Sequence, residues 1–182
     1  AALSSLVAKA GLSNVTTNLS TSKDITGLNV TGITNLNLEV TKDATITKLV
    51  TNAQNNVVVK GAGNTTIISD DNTGATVVTD VASIDASALT GTLTYTNKAT
   101  ATTGIIGSST AKNTLNLTST GVTVTAITGS ANDEVNLATS TGTLNVTTAA
   151  GDDKVTVNGA LIGKATIDMG AGTNDTLVLV DK

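Results

Sequence analysis

Three short segments in the C-terminal half of the chain carry the residues with the most distinctive chemistry. In each of them small residues lead into Asn or Asp, then Asp, one variable residue and an aliphatic residue; the segments are 129–135, 149–155 and 171–177. The Asp that they share, at Asp133, Asp153 and Asp175, recurs after 20 and then 22 residues. Because the chain has no His and no Cys, a metal bound here would have oxygen ligands, which are typical of calcium sites. Weaker copies, with Asn113 and Thr65 at the position of the Asp, lie at 109–115 and 61–67.

The regular spacing of these Asp residues has an electrostatic consequence. If about 20 residues form one turn of a coil, the side chains stack at the strand spacing of roughly 4.8 Å. At an effective dielectric constant of about 20, like charges at that distance repel by about 3.5 kcal/mol per pair. A divalent cation would remove this repulsion, so we expect cation binding and folding to be coupled. The alternative interpretation is that Asp, Asn and Gly recur here only because turns favour them.

The elements that must position these turns are short strands. Apolar and polar residues alternate in bursts such as Leu36–Val40, Leu144–Val146 and Val155–Val157, and this period of two is typical of strands. Strand centres are predicted about 10 residues apart, near residues 38, 46, 58, 67, 77, 84, 93, 105, 115, 124, 136, 145, 156, 167 and 178. Thr supplies 38 of the 182 residues, which also favours strands over helices.

The composition predicts an all-β protein and favours one architecture. A β-sandwich generally fills its core with aromatic as well as aliphatic side chains, and this chain has a single aromatic residue, Tyr95. A parallel β-solenoid, with ladders of small branched side chains, fits this composition better. We expect residues 1–35 to form an irregular cap or a short strand layer, and residues 36–182 to form the solenoid, with its acidic turns concentrated in 104–182.

The acidic segments resemble a known repeat. They are similar to the calcium-binding nonapeptide G-G-x-G-x-D-x-U-x of RTX proteins, in which successive turns of a parallel β-roll bind calcium. The resemblance implies that Asp133, Asp153 and Asp175 are ligands, and Gly151 fits the glycine two residues before the Asp. Ala131 and Thr173 depart from that glycine and are expected to strain their turns. The candidate calcium-site residues are Asn132, Asp133, Gly151, Asp152, Asp153, Gly172, Asn174 and Asp175.

A second resemblance concerns the kind of protein. Residues 83–94, SIDASALTGTLT, look like a stretch common in Gram-negative surface-layer proteins of the RTX type, as does the bias toward Thr, Ala and Ser. The resemblance implies a structural protein of an extracellular bacterial surface layer, secreted by a type I route. It also implies calcium-dependent self-association into a lattice, contact with neighbouring domains of the same protein and a surface polysaccharide as a further partner.

Composition also argues against several functions. The net charge of −4 and the lone aromatic make nucleic acid a poor partner. No apolar run approaches the roughly 18 residues that span a bilayer, so we expect no membrane insertion. No Trp or Phe is available to hold a sugar beside paired carboxylates, and we do not expect an enzyme.

The second functional hypothesis is a Thr-rich adhesin or ice-binding module that needs no metal. It rests on Thr-x-Thr triplets that could form a flat array of hydroxyl groups, although their spacing along the chain is irregular; the triplets lie at 45–47, 92–96 and 123–125. Calcium dependence distinguishes this hypothesis from the first one.

Overall fold

A computed structural model describes residues 6–7, 13–20, 23–30, 33–50, 56–69, 81–97 and 104–181. These residues form a β-solenoid of about seven coils with about 21 residues per coil, which confirms the predicted all-β fold class and the parallel solenoid. The strands are β1 (Leu6–Val7), β2 (Asn14–Leu19), β3 (Lys23–Ile25), β4 (Leu28–Asn29), β5 (Asn35–Val40), β6 (Ala44–Val50), β7 (Asn56–Gly61), β8 (Thr65–Ser69), β9 (Ser83–Leu89), β10 (Leu93–Thr96), β11 (Gly104–Ile106), β12 (Asn113–Asn116), β13 (Val124–Ile127), β14 (Glu134–Leu137), β15 (Leu144–Thr147), β16 (Lys154–Asn158), β17 (Ala165–Asp168) and β18 (Thr176–Val180). One 3-10 turn, Gly159–Leu161, lies between β16 and β17.

The strands belong to two parallel sheets, and each coil contributes a strand to both. The first sheet has the order β1-β4-β6-β8-β10-β12-β14-β16-β18, with β3 also paired to β6, and the second has the order β17-β15-β13-β11-β9-β7-β5-β2. Every pairing between named strands is parallel. The alternating sequence pattern produces this arrangement, because it turns one side of each strand toward the space between the sheets.

The core consists of aliphatic side chains stacked from coil to coil. In the first sheet, one such column is fully buried over six coils and continues the same register throughout; it contains Ile46, Ile67, Tyr95, Leu115, Val135 and Val155. The only aromatic residue therefore occupies a position that a branched aliphatic fills elsewhere. Its hydroxyl lies 3.4 Å from Ser69 Oγ inside the core.

The strand centres predicted from residue 38 onward agree with the observed strands wherever the structure describes the chain. One coil is longer than the others, since Thr65 pairs with Leu93, 28 residues later, while Leu93 pairs with Asn113 after 20. The strand predicted near residue 77 falls in this longer coil and lies outside the described residues. The described part of 1–35 contains short strands that join both sheets, with β2 paired to β5 along six residues.

Within the described residues, the structure has no helix of the length and hydropathy needed to cross a bilayer.

Candidate metal site in the acidic turns

The three shared Asp residues stack at one corner of the solenoid. Each immediately precedes the first residue of a first-sheet strand. Asp133 and Asp153 are 2% and 1% exposed, whereas Asp175 in the last described coil is exposed. They point inward because each lies two residues before a column aliphatic, on the same side of the strand. The sequence therefore predicted correctly that these residues share one position in successive coils. We call this set, with Asn113 one coil earlier, the inner column.

Each inner-column carboxylate accepts a hydrogen bond from the main chain of the preceding coil. The N–H groups of Asn113, Asp133 and Asp153 donate to the Oδ1 atoms of Asp133, Asp153 and Asp175 at 2.7, 2.8 and 2.9 Å. The Asn113 side chain also donates to Asp133 Oδ1, at 3.0 Å. One oxygen of each carboxylate is thus used to join two coils.

The second carboxylate oxygen, Oδ2, has no such role in two of these residues. Asp133 Oδ2 and Asp153 Oδ2 are buried without a hydrogen-bond partner, and so are the hydroxyl groups of Thr128 and Thr148. Each Thr precedes its Asp by five residues, as Ser108 precedes Asn113. These threonines were not predicted from the sequence, although the repeated five-residue offset could have indicated them. Buried polar atoms are normally paired, so these four require an explanation.

Burial raises the pKa of Asp133, and repulsion from the Asp153 carboxylate adds to the rise. The Thr128 hydroxyl and the N–H groups of Asn113 lower the pKa but do not cancel the effect of burial. The Thr128 hydroxyl is close enough to the Asp133 carboxylate to lower its pKa, but the two groups do not form a hydrogen bond and Oδ2 stays unpaired. The charged form of Asp133 is therefore disfavoured by its surroundings.

The residues just before the inner column form a second, exposed column, which we call the outer column. Asp152 N–H donates to Asn132 Oδ1 at 2.9 Å, and Asn174 N–H donates to Asp152 Oδ1 at 3.1 Å. These bonds run in the opposite direction to those of the inner column, from the following coil to the preceding one. Hydrogen bonds to Asp152 from the main chain of Thr173 and from Asn174 lower the pKa of Asp152. The six predicted Asn and Asp site residues are thus divided between two columns.

The outer column extends into the N-terminal half, where the sequence analysis proposed no site. Asn64 N–H donates to Asp43 Oδ1 at 2.9 Å, and Thr92 N–H donates to Asn64 Oδ1 at 3.0 Å. The degenerate copy at 61–67 therefore has the same role as the acidic segments at this position. Since these outer bonds need no shared Asp, they are a property of the coil and not of the acidic turns.

The glycines and their substitutes give one confirmation and one correction. Gly151 has φ +120°, and a Cβ there would lie 2.6 Å from the carbonyl oxygen of Ala131, so a glycine is required. The strain expected at Ala131 and Thr173 is wrong, because among the described non-glycine residues only Ala149 has a positive φ, at +62°. In the same turn Ala149, two residues before Gly151, also has a positive φ, and Gly170, its counterpart in the next coil, has φ +69°.

The oxygens available to a cation are fewer than the sequence suggested. Several turn carbonyls are already paired, since those of Ser109, Gly129 and Ala149 accept N–H groups from Ser130, Ala150 and Ala171 in neighbouring coils. No three acidic side chains converge on one point in the described part of the chain. What remains at the inner column is a set of buried oxygens: the Oδ2 atoms of Asp133 and Asp153 and the hydroxyls of Thr128 and Thr148. Oxygen is the ligand type that calcium prefers, and these four oxygens would supply part of the roughly six to eight ligands that it takes in proteins.

Gly172 and Thr173 lie on the outer side of the same turns. With Asn132, Gly151 and Asp152 they line an open groove at the surface. Thr173 also donates its hydroxyl to Asp152 Oδ1 at 3.2 Å, a bond that the glycine of the repeat could not make.

Two threonines of the second hypothesis, Thr45 and Thr94, lie in one column of the structure, together with two that the triplets did not include, Thr66 and Thr114. Thr45, Thr66, Thr94 and Thr114 pair successively in the first sheet and form one half-buried column on its outer side. The spacing along the chain is irregular because the coil between Thr66 and Thr94 is longer. Thr125 belongs to the second sheet and is not part of this column.

Comparison with protein-family models, with curated proteins and with solved structures finds no match.

Proposed function

We propose that this chain is a structural, calcium-stabilised β-solenoid of an extracellular bacterial surface layer, exported by a type I route and able to self-associate into a lattice. The observation that carries the proposal is the stacking of two nearly fully buried carboxylates, Asp133 and Asp153, each with an unpaired oxygen. Burial of unpaired charge is costly, and a bound cation offsets that cost. The resemblance of residues 83–94 to surface-layer proteins supports the extracellular location.

Asp133 and Asp153 would hold the calcium, with the hydroxyls of Thr128 and Thr148 as neutral oxygen donors. When bound, calcium supplies positive charge between carboxylates that otherwise repel each other. The chain's own contribution is to fix each carboxylate through its Oδ1 hydrogen bond, so that Oδ2 is held in place before a cation binds. Folding of the C-terminal coils and binding are then linked.

A metal-free adhesin or ice-binding module is the second candidate, and two observations favour it. The inner carboxylates already have a structural role as acceptors of main-chain N–H groups. The threonine column of the first sheet also gives the regular hydroxyl array that the sequence spacing did not suggest. This candidate predicts that stability is independent of calcium.

The test is a thermal melt followed by circular dichroism, in EGTA and in millimolar calcium. Occupancy at about 100 times the dissociation constant stabilises a fold by about 2.7 kcal/mol, which for a chain of this size raises the Tm by roughly 5–10 °C. We expect Asp153→Asn to lose this rise, since it keeps an oxygen for the N–H of Asp133 but removes the charge. The matched control is Asp85→Asn, because Asp85 lies outside both columns and, among the residues that the structure describes, accepts side-chain hydrogen bonds only from Ser87. A wild-type melt that calcium does not change would support the metal-free candidate.

A further inference from the structure

A polar cleft lies at the corner of the solenoid where the first-sheet strands β10, β12 and β14 end. It has a volume of about 220 Å³ and lies at the opposite end of these strands from the inner column. None of the polar side chains that the described residues contribute to it is charged; they are those of Thr96, Asn97, Asn116, Thr118, Asn136 and Thr139, from three successive coils. The cleft is therefore separate from the candidate metal site and has no charge of its own to attract an ion.

The walls of this cleft are held by bonds between coils. Asn97 is 4% exposed; its Nδ2 donates to the carbonyl oxygen of Thr118 at 2.8 Å, and its Oδ1 accepts the Thr118 N–H at 2.6 Å. The N–H of Leu117 donates to the carbonyl oxygen of Asn136 in the next coil at 2.8 Å. Because β10, β12 and β14 each have a strand on both sides, the cleft offers a peptide no free edge to pair with. Its shape is thus fixed before a ligand arrives.

Two side-chain amides in the cleft, those of Asn116 and Asn136, are paired in neighbouring coils at the strand spacing of roughly 4.8 Å. Asn116 Nδ2 donates to Thr96 Oγ1 at 3.4 Å. Asn136 Oδ1 accepts the N–H of Ala138 at 3.1 Å. Within the described residues, the other atom of each amide, Asn116 Oδ1 and Asn136 Nδ2, has no hydrogen-bond partner. The cleft therefore presents an acceptor beside a donor, and each is oriented by the bond that its own amide already makes.

Two hydroxyl groups add to this set of donors and acceptors. Thr118 Oγ1 and Thr139 Oγ1 lie 2.7 Å apart, so one donates to the other, and the accepting hydroxyl keeps its own proton for a ligand. Neutral donors and acceptors placed side by side complement a ligand whose polar groups each donate and accept. Hydroxyl groups have this property, whereas phosphates and carboxylates only accept and are bound best by positive charge. The chemistry of the cleft therefore favours a neutral polyhydroxyl ligand.

We propose that the cleft binds a neutral sugar unit of a polysaccharide, with one sugar hydroxyl donating to Asn116 Oδ1 and a second accepting from Asn136 Nδ2. This binding goes beyond the structural role proposed above and does not depend on calcium, because no residue of the inner column lines the cleft. The column of Asn116 and Asn136 continues to Thr156 in the next coil. A polysaccharide lying along the solenoid axis would thus meet a polar side chain in each of these coils, which favours a polymer over a single sugar.

The test is a titration of the whole chain with uncharged sugars, followed by proton–nitrogen correlation NMR of the side-chain amides. The probes are the methyl glycosides of glucose, galactose, mannose and N-acetylglucosamine. We expect at least one of them to shift the amide signals of Asn116 and Asn136, with a Kd of about 1 mM, because a small ligand has few atoms to contribute binding free energy. We expect the linear tetrasaccharide of the same sugar to bind about tenfold more tightly, since neighbouring units reach neighbouring coils.

Variants of one amide assign the binding to the cleft. Asn116→Leu removes the acceptor with little change of volume, and we expect it to weaken binding by about tenfold or more, whereas Asn116→Asp keeps an oxygen there and should retain binding. The matched control is Asn145→Leu, the same change at an exposed Asn on the outer side of the second sheet, which should bind as the wild type does. Circular dichroism checks that each variant is folded. If Asn116→Leu is not, Thr139→Val, which removes a hydroxyl of the cleft, takes its place.

Other results overturn the proposal. If no glycoside shifts the two amide signals, or if Asn145→Leu weakens binding as much as Asn116→Leu does, the cleft does not bind sugar. A tetrasaccharide that binds no more tightly than its methyl glycoside removes the polysaccharide in favour of a single sugar. Repeating the titration in EGTA separates this binding from the calcium site. Binding that is lost in EGTA would place the sugar on the cation, whereas binding that persists supports the cleft even when calcium leaves the melt unchanged.

Discussion

The N-terminal and C-terminal coils fill the same corner of the solenoid with different chemistry. In the N-terminal coils the corner position holds Ala44, Thr65 and Leu93, while in the C-terminal coils it holds the inner column of Asn113 and the shared Asp residues. All of these side chains are buried except that of Asp175. The strands of both sheets remain parallel through the two regions.

The difference lies in which atom accepts the corner N–H group. In the N-terminal half, the N–H groups of Ala44, Thr65 and Leu93 donate to main-chain carbonyls of the next coil, at 2.9, 2.8 and 3.2 Å. In the C-terminal half, the equivalent N–H groups donate to carboxylate oxygens of the next coil. A carboxylate thus replaces a carbonyl as the link between coils. The replacement keeps the fold but introduces buried charge that can respond to cations and protons.

The largest loss in the free energy of unfolding is expected when a carboxylate is introduced at the same corner of the N-terminal half, with Leu93→Asp. The N–H that would donate to this carboxylate, on Thr65, is already bonded to the carbonyl of Thr92, so the new charge would be buried without a donor. We expect a loss of about 4 kcal/mol or more in the free energy of unfolding. Urea denaturation measures it, with Leu93→Asn as the uncharged control. A loss below about 1 kcal/mol would show that the corner accepts a carboxylate in either half.

A smaller loss in the free energy of unfolding is expected when a native acid of the inner column is removed, with Asp153→Ala. This change leaves the buried N–H of Asp133 without an acceptor and should cost about 2 kcal/mol. Asp85→Ala is the control, because Asp85 bonds only within its own strand, to Ser87, and should cost less than about 1 kcal/mol. Equal losses in urea denaturation would contradict the role of the inner column.

The smallest expected effect is the pH dependence of the free energy of unfolding, measured in EGTA. Because the folded-state pKa of Asp133 is raised, its contribution to stability is fully present below its ordinary value of 3.8 and is lost as the pH rises through the folded pKa. The difference in unfolding free energy between the wild type and Asp133→Asn should therefore fall as the pH increases from acid toward neutral.

The pKa of Glu134 is shifted in the opposite direction to that of Asp133, so a variant at Glu134 serves as the internal comparison. The hydrogen bond from Lys154, 2.9 Å long, lowers the pKa of Glu134. Its contribution is present above the ordinary value of 4.5 and is lost as the pH falls through the folded pKa. Glu134→Gln should thus weaken the protein near neutral pH and not in acid. Urea midpoints at several pH values measure both variants, and slopes of the same sign would contradict the assignment for Asp133.

The sequence predicted the fold well because the coil repeats local rules. Alternation placed Val135 and Val155 inward, and the spacing of 20 placed Asp133 and Asp153 in one column. The direction of the hydrogen bonds could not be predicted, since adjacent residues such as Asp152 and Asp153 bond to opposite neighbours. These choices depend on which N–H groups the main chain leaves unpaired at each turn, and a sequence pattern does not specify that.

Stacking by neighbouring coils has a mechanical consequence. Each coil advances the solenoid by only one strand spacing, roughly 4.8 Å, yet it contains about 20 residues that span roughly 70 Å when extended. Tension along the axis loads the hydrogen bonds between coils one layer at a time, so coils would be released singly from an end. The molecule can therefore lengthen many times over in discrete steps while the coils still in place keep their structure.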